Sequence, residues 1–71
     1  MVDYHINVFW SEEDGQYIAD IPDLVGCSAS AKSPEEAVKE VQLAKTLWLE
    51  AAKEKGKQIP EPRYRPAIYA L

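Results

Sequence analysis

The sequence has one cysteine, one histidine and three glycines among its 71 residues. A lone cysteine excludes a fold stapled by disulfides within one chain, and also a zinc ribbon of paired cysteines. It suits a reducing compartment, where small domains hold together without bridges. Three glycines are too few for a dinucleotide fingerprint, and no Gly-Lys-Ser or Gly-Lys-Thr phosphate loop occurs. No apolar run approaches the roughly 18 residues of a membrane span. Basic side chains are outnumbered, 8 against 12, for a net charge of −4. That balance argues against direct binding of nucleic acid through a basic face. The N-terminus MVDYHINVFW has no basic leader followed by an apolar stretch, so a cytoplasmic location is expected.

The length allows one domain, spanning 1–71. A chain of this mass buries ~7,000 Å² on folding. The apolar share of that area is worth about 100 kcal/mol, and ordering the chain costs about 105 kcal/mol. Folding alone is therefore marginal, and a homo-oligomer, dimer or higher, is expected.

Tyr4 to Trp10 reads as a strand, with Tyr4, Ile6, Val8 and Trp10 alternating with His5, Asn7 and Phe9. Ser-Glu-Glu-Asp-Gly follows, a hairpin signal in which Gly15 supplies a positive φ. Gln16 to Ile21 is a second strand, and Pro22 stops its ladder because proline lacks an N–H. A short third strand is expected around Cys27 to Ala29, after a tight turn at Gly26.

Ser33, Pro34 and Glu36 then mark a helix start: an N-cap, a first-turn proline and a capping-box carboxylate. The helix is expected to run from Pro34 to about Lys55, with Gly56 ending it in a left-handed conformation. Ala37, Val41, Ala44, Trp48, Ala51 and Ala52 share one stripe. Leu43 and Leu47 flank it on one side, and Val38 and Leu49 on the other. This apolar arc is wider than one small sheet requires, which makes Leu43 and Leu47 the candidates for an oligomer seam. Pro60, Pro62 and Pro66 favour an extended arm, and Ala67 to Leu71 is read as a last short strand. The fold class is α+β: a three-stranded antiparallel sheet packed on one long helix, with a short C-terminal strand.

Catalytic parts are missing. His5 has no nucleophile motif around it, and nothing near Cys27 lowers a thiol pKa, so both read as structural. No metal-ligand spacing occurs, and no cofactor is expected. Asp20 and Asp23 bracket Pro22, and either cap a turn or pair with a cationic partner. Arg63, Tyr64 and Arg65 interleave basic and aromatic residues, read here as packing or assembly rather than nucleic-acid contact.

Four stretches carry a resemblance across Tyr4 to about Tyr69: VFWSEEDGQYIADIPDL, the Gly26-Cys27 turn, SPEEAVKEV, and WLEAAKEKG followed by IPEP. In order and spacing they resemble the HicB family of antitoxins in its short, single-domain form. The resemblance implies a truncated ribonuclease H-like fold. Ribonuclease H chemistry needs an acidic metal ligand from the first strand, and Tyr4 to Trp10 holds no carboxylate, so the implied protein is not an enzyme. It implies that the protein binds and neutralises a HicA-like toxin, a small basic protein that cleaves mRNA. The expected contact surface draws on Asp20, Asp23 and the arm through Arg63, Tyr64, Arg65 and Tyr69. The alternative is a solitary HicB-like oligomeric module, regulatory or structural, without a toxin. A hydrolase working from the same shell through Asp20 or Asp23 ranks last. Many HicB proteins carry a C-terminal DNA-binding domain, for which 71 residues leave no room, so direct DNA contact is not expected. The family often has Gly-Asp before the helix cap; Ala31 and Lys32 stand there instead.

Overall fold

The computed structural model describes residues 3–65. Strands β1 (Asn7–Ser11), β2 (Gln16–Asp20) and β3 (Ser28–Ala31) form an antiparallel sheet in the order β1-β2-β3, followed by helix α1 (Pro34–Glu54). This is the expected α+β arrangement of three strands and one helix. The C-terminal strand expected at Ala67 to Leu71 lies outside the described residues.

Local chemistry sets each boundary. In the first hairpin the Gly15 N–H donates to the Ser11 carbonyl at 2.8 Å, and Gly15 adopts φ 63°. The Asp14 N–H donates to Ser11 Oγ at 3.3 Å, fixing the turn from both sides. After β2, Pro22 ends the ladder. The Ile21 N–H donates instead to the Cys27 carbonyl at 3.0 Å, closing a compact turn in which Gly26 has φ 80°. At the start of α1, Ser33 Oγ accepts from the Glu36 N–H at 3.2 Å. The Ser33 hydroxyl also donates to Glu36 Oε1 at 3.0 Å, so the carboxylate meets the cap's hydroxyl rather than its backbone N–H. At the far end the Lys57 N–H donates to the Ala52 carbonyl at 2.8 Å and the Gly56 N–H to Lys53 at 3.1 Å. With Gly56 at φ 69°, this is the paired-bond stop that only a left-handed residue permits.

The core is a small cluster of Ala19, Ile21, Leu24, Cys27, Ala37 and Val41, all buried. Cross-strand register puts Val8, Ala19 and Ala29 on the helix side of the sheet, with Trp10, Tyr17 and Ala31 beside them. Phe9, Ile18 and Ser30 form the reverse face, with Asn7, Asp20 and Ser28. Only Lys32 and Ser33 connect β3 to α1, so the helix lies over β3 and β2 and reaches β1 least. The inner face of β1 is thereby left half-open: Val8 is 38 % exposed and Trp10 50 %. The Trp10 ring rests edge-on against Tyr17 at 5.1 Å. Ala31 and Lys32 take negative φ, so the turn before the cap needs no glycine.

Candidate functional site

The residues singled out from sequence fall into two regions. The first lies at the end of the sheet where Tyr4 and His5 lead into β1 and where Asp23 follows Pro22. The segment after Gly56 returns across this end as an extended arm. Its Pro60 carbonyl accepts a hydrogen bond from the Tyr4 hydroxyl. The Asp23 carboxylate then accepts the Arg63 N–H at 3.2 Å and the Tyr64 N–H at 3.1 and 3.2 Å. The Tyr64 ring packs on the His5 ring, centroids 4.9 Å apart and tilted 44°. His5 Nε2 is 2.7 Å from Asn7 Oδ1. Burial, and then the carboxylates of Asp23 and Asp3, push the Tyr4 hydroxyl pKa up, which keeps it a donor.

Asp23, Arg63 and Tyr64 are thus brought together, but through the arm's backbone. The Asp23 carboxylate holds two amides, while the side chains of Arg63, Tyr64 and Arg65 stay exposed. An open depression of about 370 Å³ lies beside it, lined by Asp23, Gln58, Ile59, Pro60, Glu61 and Arg63. Asp20 stands on the reverse face between Asn7 and Ser28, in the row that begins at His5. Tyr69 lies outside the described residues. Sequence reading missed Tyr4 and His5 as arm contacts. The available signal was an aromatic pair ahead of a strand in a chain with a proline-rich tail.

The second region is the solvent side of α1. Leu43 and Leu47 are 60 % and 66 % exposed, one turn apart. Glu36 and Glu40 precede them on the same stripe and Glu50 and Glu54 follow, at alternating spacings of four and three, all exposed. Beyond Leu47, the stripe's neighbour Ala51 shares a shallow depression with Val25, Trp48 and Lys55. Val25 is 86 % exposed at the tip of its turn, where the Val25 carbonyl accepts the Trp48 indole N–H at 2.9 Å.

Cys27 is buried, and burial pushes its thiol pKa up, away from the reactive thiolate. His5 meets an amide and a tyrosine ring rather than a carboxylate and a nucleophile. Among the described residues no three His, Cys, Asp or Glu side chains group as metal ligands, and no helix is long and apolar enough to cross a membrane.

Residues 4–68 match the family model described as HicB_like antitoxin of bacterial toxin-antitoxin system. A UPF0150 protein of Synechocystis is 38 % identical over 66 % of this chain and 64 % of its own length. A UPF0150 protein of Archaeoglobus fulgidus is 41 % identical over 65 % of this chain and 67 % of its own. One from Thermoplasma acidophilum is 30 % identical over 75 % and 77 %. No solved structure matches the chain.

Proposed function

The chain belongs to the HicB-like antitoxin family of bacterial toxin–antitoxin systems, and on that premise we propose that it binds and neutralises a small basic HicA-like mRNA-cleaving toxin in the cytoplasm. The observation that carries this reading is the family match across 65 of the 71 residues, 4–68. The charge of −4 suits a basic partner, speeding encounter and penalising wrong ones. Neutralisation is a binding role and needs no catalysis. β1 carries no carboxylate that could serve as a ribonuclease H-type metal ligand.

In this reading the arm presents Arg63, Tyr64 and Arg65 to the toxin, and Asp20 and Tyr69 are further proposed contacts. Asp23 acts through the arm: its carboxylate already holds two backbone amides and sets where the exposed side chains project. The test is an RNA-cleavage assay with a purified HicA-like toxin encoded beside this chain. Addition of an equimolar amount should abolish cleavage and give a stable complex on gel filtration. A toxin that cleaves undisturbed, with no complex formed, ends the proposal.

A second reading, a self-assembling HicB-like module without a toxin, is supported by one observation. Phe9, Val8 and Trp10 leave both faces of β1 partly bare, a surface a second copy would cover. A monomeric mass by sedimentation at every concentration tested would exclude it.

A further inference from the structure

We infer that the solvent side of α1 is a docking surface for the apolar centre of a basic protein surface, and that a second copy of this chain does not fill it. The inference rests on the antitoxin reading for the identity of the partner. It adds to it a contact region separate from the arm.

Six exposed residues define the surface: Glu36, Glu40, Leu43, Leu47, Glu50 and Glu54. Alternating spacings of four and three keep them on one side of a helix, as in the seam of a coiled coil. The stripe runs about 27 Å along the axis at 1.5 Å per residue. Its centre is two leucines, 60 % and 66 % exposed, and each end is a pair of carboxylates. Among the described residues the one salt bridge joins Lys45 to Asp3, so none of the four glutamates is neutralised in an ion pair. Of the nearby lysines, Lys39 lies one turn after Glu35 and Glu36, and Lys53 borders Glu50 and Glu54 at one end, without an ion pair to any of them.

The pattern decides the occupant. If two copies met along this stripe in antiparallel fashion with the leucines facing, Glu36 would oppose Glu54 of the other copy, and Glu40 would oppose Glu50. If they met in parallel, each glutamate would oppose itself. Both arrangements set like charges across an apolar seam, which is destabilising. A partner with apolar side chains flanked by lysine or arginine at both ends satisfies the leucines and all four carboxylates at once. The leucines supply the buried centre, and the charges supply orientation and selectivity.

The probe is a synthetic helical peptide of the length of α1, with leucine at the positions of 43 and 47 and lysine at those of 36, 40, 50 and 54. Its control is an isomer of equal composition with the leucines moved to the opposite side. The native chain should bind the first roughly tenfold tighter than the second, measured by fluorescence anisotropy at physiological salt. Leu43→Ser/Leu47→Ser should erase that preference, and so should Glu40→Lys/Glu50→Lys, with unchanged melting temperature in both. Equal binding of the two peptides overturns the inference, because charge alone then accounts for it. So does sedimentation in which Leu43→Ser/Leu47→Ser splits a native oligomer, because the seam is then a self-contact. If that variant still blocks a HicA-like ribonuclease as the native chain does, the surface is refuted and the antitoxin reading stands. If the native chain blocks no ribonuclease but keeps the peptide preference, the reading fails and the surface stands.

Discussion

The two sides of α1 differ in what they cover: one packs on the sheet, and the other leaves two leucines exposed. Facing the sheet are the small Ala37, Val41, Ala44 and Ala52, with Trp48 and Leu49 packed against the core toward the far end. Facing solvent are Leu43 and Leu47. Below the helix the centre of the sheet offers the small Ala19, Ala29 and Ala31, with Tyr17 beside them. Small residues on both layers let helix and sheet approach closely around the fully buried Ala37. Burial here follows fit: of the three leucines of the helix, Leu49 packs against the core, while Leu43 and Leu47 stay exposed. These two exposed leucines are the apolar groups that the proposed docking surface would cover.

Four experiments test that contrast, beginning with the largest expected effect. Ile21→Ala removes one of the largest fully buried side chains and should cost about 2–5 kcal/mol in urea unfolding. A loss no greater than that of a surface substitution would mean that the core lies elsewhere. Ala37→Leu puts on the inner side the residue that the outer side tolerates. It should destabilise by about 1–3 kcal/mol through overpacking, whereas Leu47→Ala should stay within about 0.5 kcal/mol. Equal effects from the two would erase the distinction between the sides. Asp23→Ala should cost about 1 kcal/mol by freeing two amides of the arm. It should also speed tryptic cleavage after Arg63 while α1 stays intact. An unchanged cleavage rate would show that the carboxylate does not hold the arm.

The smallest effect belongs to Asp3. The backbone amide of Tyr4 and then Lys45 hold its carboxyl below the usual value of 3.8. A folded pKa below the unfolded one contributes stability above the unfolded value and loses it as pH falls through the folded one. Asp3→Asn should therefore narrow the stability difference between neutral pH and pH about 3, and only slightly, because the pair is exposed. An Asn variant with an unchanged acid slope would remove Asp3 from the account.

Most of the fold was legible because its signals are local. The Asp-Gly turn, the Ser-Pro-Glu-Glu cap and Gly56 each name a backbone conformation, and each stands where the residues indicated. Strand limits were less legible. The alternation of Tyr4 to Trp10 reports faces, not partners, and the ladder itself runs Asn7–Ser11, because Ser11 pairs with Gln16 across the turn. Tyr4 and His5 meet the arm instead. The third strand, expected around Cys27 to Ala29, starts one residue later and runs to Ala31, because the Cys27 carbonyl serves the turn to Ile21. The half-open inner face of β1 follows from the short β3–α1 connection, a three-dimensional constraint that periodicity does not contain. At the candidate site, the acidic character of Asp23 was legible, but its service to two backbone amides was not. The glutamate and leucine spacing was present in the sequence all along. Its meaning depended on knowing which side of α1 the sheet occupies.

The arm also fixes an order of assembly. β1, β2, β3 and α1 each pack on elements close in sequence, a pattern that favours fast folding. The grips of Tyr4 on Pro60 and of Asp23 on Tyr64 span 56 and 41 residues. Their loop-closure cost is larger than that of the contacts within the body. A body with Tyr4, His5 and Asp23 unengaged can therefore precede the closed arm. The arm then closes as a latch on a frame already built.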